Sequence, residues 1–442
     1  MINFIPDIQL SAAQILLVLL GCGYLVWCGR PEWAMGIYMA TAAWTRSIMF
    51  GPVAHTWVFL AVAVLASISY ILRKGRLSLF PPQDRWIVAW MGLWWGWMMA
   101  LIILLEDPGL RWNLARNFLC YVVAPMPLFL LLAGEIKRAR GFAIVYILTT
   151  LVGGWTSLQL LEITNAMLLA DPTLSSERSV QFLGLYNYHF FSFAQGNSLI
   201  LTTALFRENR NIVIRLALLA GAAGCVYFMM MAGSRQAVIG VFLALGVFVG
   251  WMLRQRGRSR SLILLLGTVF FLAVLMFLQA PQLMRAEHSS LTSLKETLAD
   301  GLAERWELWR RGLNIFAGSP VWGTGFKDQV ISHNLFISTL ADQGIMGMLY
   351  FLGFLAFFVR QVQGVWKGRG PKDLALWRMA FLCVVLFCLF HAQASGNVIS
   401  SWELYWSTAF LWHLGWAYKK SVLAYLPRSF AVPAGIVTGQ PR

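Results

Sequence analysis

The run IQLSAAQILLVLLGCGYLVWC, from Ile8 to Cys28, contains no Lys, Arg, Asp or Glu. Its length matches the roughly 20 residues that a helix needs to cross a bilayer. The seven residues before it carry no Lys or Arg, and it ends without a small-x-small cleavage site. It is therefore expected to be the first membrane helix rather than a cleavable signal peptide. Comparable apolar runs follow near 33–50, 53–72, 86–105, 112–133, 141–163, 189–206, 212–231, 236–253, 261–280, 333–360, 376–395 and 400–418. Only Gly51 and Pro52 separate the second from the third, and the second carries Arg46. One of these two is expected to be a half-span or a re-entrant piece. The expected fold is an all-α polytopic membrane protein of 12–13 transmembrane helices, with residues 1–442 forming a single integral membrane domain.

Composition supports the same class. Of 442 residues, 59% are hydrophobic and 12% charged, and the mean hydropathy is +0.65, which excludes a soluble enzyme or a nucleic-acid-binding protein. Cys22, Cys28, Cys120, Cys225, Cys383 and Cys388 all lie in apolar runs without CxxC or Cys/His ligand spacing. They read as small core side chains, not as a disulfide framework or a zinc site.

The net charge of +16 is first a question of sidedness, because Lys and Arg resist translocation. Twenty-one of the 35 basic residues fall in alternate connections, around 73–85, 137–140, 207–210, 254–260 and 360–372, and in the tail. Nine lie in the opposite connections. This split predicts a cytoplasmic C-terminus and two long outer segments, 164–188 and 281–332. Within the second, Ser293 to Phe316 has apolar residues at three- and four-residue spacing, which predicts an amphipathic helix on the outer membrane surface.

Candidate chemistry collects on that outer side. His333-Asn334, then Gly344 and Gly347, stand where the long outer segment re-enters the membrane. An imidazole there is reachable from water and can act as a base near neutral pH. Glycines three apart would admit a neighbouring helix. On the residues alone, a helix-capping or interfacial histidine with packing glycines explains the pattern equally. Arg235 opens a span, while Arg305, Arg310 and Arg311 lie on the amphipathic segment and Arg178 in the shorter outer segment. Guanidinium forks suit a diphosphate, although each could instead snorkel to head groups or pair with Glu304 or Glu307. Pro320 to Phe326 is glycine-rich without a phosphate-loop Lys-Ser/Thr, and reads as a tight turn. His55, His391 and His413 lie within apolar runs, and His189 suits an interfacial anchor. Asp342 and Glu403 in or near spans suggest function or an arginine partner. Trp86, Trp90, Trp94, Trp95 and Trp97 fit an interfacial belt, with sugar stacking open to any that face outward. No Asp-x-Asp pair occurs in an outer segment, which argues against a metal-dependent sugar-nucleotide transferase.

Three blocks, in this order over about residues 212–395, resemble the O-antigen ligase superfamily of integral membrane glycosyltransferases. They are Ala232-Gly233-Ser234-Arg235; Arg305-Trp306-Glu-Leu-Trp309 through Pro320-Val-Trp-Gly323-Thr-Gly325-Phe326; and His333-Asn334, nine residues, Gly344-x-x-Gly347. Gln236 departs from the pattern, where glycine is common. The resemblance implies a GT-C-like membrane enzyme in the bacterial inner (cytoplasmic) membrane with its site facing the periplasm. Such an enzyme moves a glycan from undecaprenyl diphosphate to a glycan or lipid A-core acceptor, inverting, with no cofactor or metal and no nucleic acid involved. His333 would be the base, and Arg235 and Arg305 would hold the diphosphate, with Arg310 and Arg178 as further ligands. Asn334, Gly344 and Gly347 would serve as motif residues. The absence of an Arg-x10-Gly pattern in the outer segments favours a ligase over an O-antigen or exopolysaccharide polymerase. A protein O-glycosyltransferase of the same superfamily is a further alternative. A secondary transporter or flippase would instead need two related halves and ionisable groups at the midplane.

Overall fold

The computed structural model describes residues 8–42, 48–50, 53–74, 85–132, 135–170, 188–231, 235–254, 291–326, 334–367, 371–395 and 402–425. The expected span at 261–280 lies outside the described residues, as do His333, Arg178 and most of segment 164–188.

The apolar runs form helices. Helix α1 (Ala12–Cys28) starts at a capping box, in which Ser11 Oγ accepts from Gln14 N and Gln14 Oε1 accepts from Ser11 N at 2.9 Å. It stops at Gly29, whose φ of 57° ends the helix in the left-handed region. Helix α2 (Pro31–Ala42) is too short to span, and Ile48–Phe50 is a strand, so the expected second span is a half-length helix. A small sheet, β1 (Ile8–Gln9), β2 (Ile48–Phe50) and β3 (Val53–Ala54), closes this region; β1–β2 is parallel, with Ile8 opposite Ile48, and β2–β3 antiparallel, with Phe50 opposite Val53. The rest of the chain continues through α3 (His55–Lys74) and α4 (Arg85–Ile103). The single span expected at 112–133 is segmented into α5 (Pro108–Phe118), a π-helical turn (Leu119–Val123) and α6 (Pro125–Leu132). Then come α7 (Ile136–Ala170), α8 (Tyr188–Glu208), α9 (Ile212–Met231), α10 (Arg235–Arg254), α11 (Leu291–Gly318), α12 (Leu335–Lys367), α13 (Lys372–Ser395) and α14 (Trp402–Tyr425).

Among the described residues, six helices are long and apolar enough to cross a membrane, so the chain is an all-α polytopic membrane protein. The apolar part of α13 has 78% of its residues buried, against 28–44% in the other five; α13 is the centre and the others present one face to lipid. Helix α8 beside it is polar on the inside. Its Gln195, Asn197, Ser198 and Thr202 are buried, shielded from lipid by the helices around them, as intramembrane polar groups must be.

The basic connections meet at one end. Arg138 pairs with Glu32 at 2.8 Å and with Glu135 at 3.2 Å. Arg140 pairs with Glu208 and, at 3.7 Å, with Asp373, while Trp377 Nε1 donates to Glu208 at 3.2 Å. Arg254 lies over the Trp366 ring, and Arg73 donates to Trp27 O. These contacts join the ends of α1, α3, α8, α10 and α12 to the starts of α2, α7 and α13, the same grouping that the charge pattern produced.

Candidate functional site

The motif-bearing segments lie at the other end of the bundle. Helix α11 forms because its apolar residues recur at helical spacing, and it covers the expected amphipathic stretch. Arg305, Leu308, Trp309, Gly312, Ile315 and Phe316 share its half-buried to buried face, whereas Trp306, Glu307, Arg310, Arg311, Leu313 and Asn314 are exposed. Arg305 and Arg310 therefore point in different directions. Among the described residues, none of Arg305, Arg310 and Arg311 makes an ion pair, and Glu307 does not take one of them as a partner.

After α11 the chain turns tightly, as Pro320 to Phe326 suggested. Gly323 N donates to Ser319 O at 2.9 Å and Ser319 Oγ to Gly323 O at 2.8 Å. Gly323, Gly325 and Phe326 all have positive φ, between 66° and 68°, which costs nothing for glycine but strains the phenylalanine. The turn is bonded into α12. An unbroken helix would bond Ile345 N to Ala341 O and Met346 N to Asp342 O. Gly344, with φ 65° and ψ −163°, interrupts it. The freed acceptors are taken by Thr324 N and Gly325 N, each at 2.9 Å, and the freed donors find Pro320 O at 2.8 Å and Val321 O at 3.4 Å. Ala341 O, Asp342 O, Ile345 N and Met346 N thus each have a partner in the turn in place of one within the helix.

Only glycine fits this clasp. A Cβ on Gly323 would lie 2.4 Å from the Asp342 carbonyl carbon, and one on Gly344 would lie 2.3 Å from Val321 O. Gly347 has another purpose: a Cβ there would strike the Gln343 side chain at 2.1 Å. That side chain is fully buried and its Oε1 accepts from Trp94 Nε1 at 3.0 Å. The expectation that Gly344 and Gly347 admit a neighbouring helix is therefore replaced by a more local reason: they admit a main-chain turn and a side chain of their own helix.

Asn334 sits at the start of α12, where its Oδ1 accepts from Phe336 N at 3.0 Å and Ile337 N at 3.2 Å, an N-cap. His333 immediately precedes it in sequence. At 1.5 Å per residue, Ile345 to Lys367 covers about 34 Å, enough to cross a bilayer alone. The short helix before the break is thus left over at the end opposite the basic loops.

Helix α4 runs antiparallel along α12. Trp90 Nε1 donates to Tyr350 O at 3.0 Å, Trp86 meets Phe357 at 6.3 Å, and Trp97 stacks with Trp322 of the turn at 5.2 Å. Next to them, a small apolar recess, with room for about one water molecule, is lined by Met91, Met126, Phe354, Phe357, Tyr405 and Trp412, among others.

Arg235 is the first residue of α10, and its side chain is outside the described ones. Helix α10 packs on α8 and α13, and α11 on α12, which in turn packs on α13. The remaining described histidines are core side chains. His55 Nε2 is 3.2 Å from Thr41 O, His391 stacks on Phe193 at 4.5 Å, and His413 lies against Trp412 and Trp416. Asp342 and Glu403 are buried. Among the described residues, no group of three or more His, Cys, Asp or Glu is arranged to hold a metal.

What sequence reasoning missed is the exchange of main-chain bonds at Gly344. The signal for it was present as two glycine pairs, Gly323/Gly325 and Gly344/Gly347, read separately.

Comparison with curated proteins gives no match. Residues 220–352 match the family model described as O-antigen ligase, from the middle of α9 through α10, α11 and the clasp into α12. Over these residues, which contain the Arg235, Arg305 and His333 blocks, the chain is similar to the O-antigen ligase family.

Proposed function

We propose that the protein transfers a glycan from undecaprenyl diphosphate to an acceptor hydroxyl at the periplasmic face of the bacterial inner membrane, as an O-antigen ligase attaching it to lipid A-core. The observation that carries this reading is the linkage of two motif blocks. Arg305 is on the inward face of α11, and α11 is joined by the clasp to the helix that begins directly after His333.

In this mechanism His333 takes the proton from the acceptor hydroxyl as its oxygen attacks the anomeric carbon. The bond from that carbon to the diphosphate breaks on the opposite face, inverting the centre. Arg305 and Arg235, with Arg310 and Arg178 as further candidates, neutralise the departing diphosphate. One displacement needs no covalent enzyme intermediate. The prenyl tail would lie against the apolar surface of the spans. The charge pattern supports the orientation, since the basic loops gather at the end away from the clasp.

Glycan analysis of a deletion strain tests the reading. Loss of all polymer attached to lipid A-core, with lipid-linked glycan accumulating, is the expected result. Single repeat units still attached would reassign the protein as a polymerase, and an unchanged glycan profile would refute transfer altogether.

A further inference from the structure

We infer that the clasp between Ser319–Phe326 and Ala341–Met346 is a positioning device for transfer, which makes Gly323 and Gly344 positioning residues. The inference rests on the reading of Arg305 and His333 as site residues and adds how the helix bearing Arg305 is joined to the helix that follows His333 in sequence.

The clasp is made of main-chain groups. Thr324 N, Gly325 N, Ile345 N and Met346 N each donate across it. Main-chain bonds on both sides of a break allow less play than side-chain pairs, because no side-chain torsion separates the bonded groups from the backbone. The first arm of the device is α11, which ends at Gly318 and enters the turn through Ser319 N to Phe316 O at 3.1 Å. The second is the short helix from Asn334 to Gln343, whose start is fixed by the Asn334 cap. Gln343 anchors this arm sideways to Trp94 on α4, in the space left by Gly347.

Residues 327–333 connect the two arms in sequence, but the clasp bypasses them, since it bonds the residues before that stretch to those after it. The spacing of Arg305 and Asn334 is therefore set across the clasp. A displacement of about 1 Å between reacting groups is enough to lower turnover about 100-fold.

The test uses the full-length chain in liposomes, with spin labels at two exposed positions, Glu307 on α11 and Phe336 on the short helix. In the parent chain the distance distribution should be narrow. Gly344→Ala should broaden it and lower kcat about 100-fold while the KM for the lipid-linked donor changes by less than about threefold, because misalignment affects the reacting pair more than the bound tail. An unchanged distribution, or a broadened one with parent kcat, overturns the inference.

If Gly344→Ala does not insert, Ser319→Ala removes only the bond from Ser319 Oγ to Gly323 O. It should give the same pattern at smaller amplitude, and parent behaviour in both readouts overturns the inference. Gly29→Ala, at a positive φ with no atom closer than 3.5 Å, controls for backbone strain alone and should leave the label distances and kcat unchanged. The label distance does not depend on catalysis. Full activity in His333→Ala would therefore sink the role given to His333 while leaving the distance result to judge the clasp.

Discussion

The two ends of the bundle are held together in opposite ways. At the basic end, long charged side chains do the joining: Arg138 to Glu32 and Glu135, and Arg140 to Glu208 and Asp373. At the other end the joining is done by main chain, through four bonds across a helix break, and the arginines nearby are left out of it. The difference matters for function. An arginine committed to a carboxylate has little left to offer a phosphate, whereas Arg305 makes no ion pair among the described residues, as the proposed diphosphate role requires. Main-chain bonding at this end needs no charged side chain and leaves less slack than side-chain pairing would.

Substitutions that exchange these roles should break the comparison in a graded way. The largest effect on stability is expected from Arg138→Ala, which leaves Glu32, a side chain only 3% exposed, with the more exposed Arg30 at 3.4 Å as its remaining partner. Leaving a buried charge with no partner costs about 3–5 kcal/mol; with Arg30 retained the loss should be smaller but still lower thermal unfolding in detergent, and Glu32→Gln added to it should recover much of it. Arg305→Ala should leave unfolding unchanged but lower transfer by about 10²–10³-fold, the usual cost of losing one preorganised donor to developing charge. Arg305→Lys, retaining charge without the fork, should fall between. Gly347→Ala should cost about 1–3 kcal/mol, since Gln343 must move to make room, and should weaken the Trp94 contact, visible as a change in tryptophan emission. Glu307→Gln, on the exposed face of α11 and without an ion pair among the described residues, should change stability by less than about 0.5 kcal/mol. A large effect there would mean that α11 is buried in use.

Much of the fold was legible because a bilayer imposes length and polarity on each span. Runs such as 212–231 and 236–253 became α9 and α10 almost residue for residue, and the charge pattern grouped the loops that the ion pairs then joined. The amphipathic helix was legible from spacing, and the structure extends it only to Leu291–Gly318. Where hydropathy left a choice or a detail open, a local feature decided. Of the two runs of which one was expected to be a half-span, the second is that one, with a helix at Pro31–Ala42 and a strand at Ile48–Phe50. The run at 112–133 is helical as expected, with a π-helical turn ahead of Pro125 that hydropathy does not reveal. At the candidate site, residue types and order were readable, and a helix cap was expected there as an alternative role of the histidine, whereas Asn334 supplies it. The reason for Gly344 could not, because its partner, the main chain around Val321, is more than 20 positions away in sequence and leaves no side-chain signature.

The most direct measurement of the central claim is glycan transfer by His333→Ala in liposomes supplied with an undecaprenyl diphosphate-linked glycan and a lipid A-core acceptor. The account predicts that the variant inserts and unfolds like the parent but attaches no glycan. Transfer at the parent rate would contradict it.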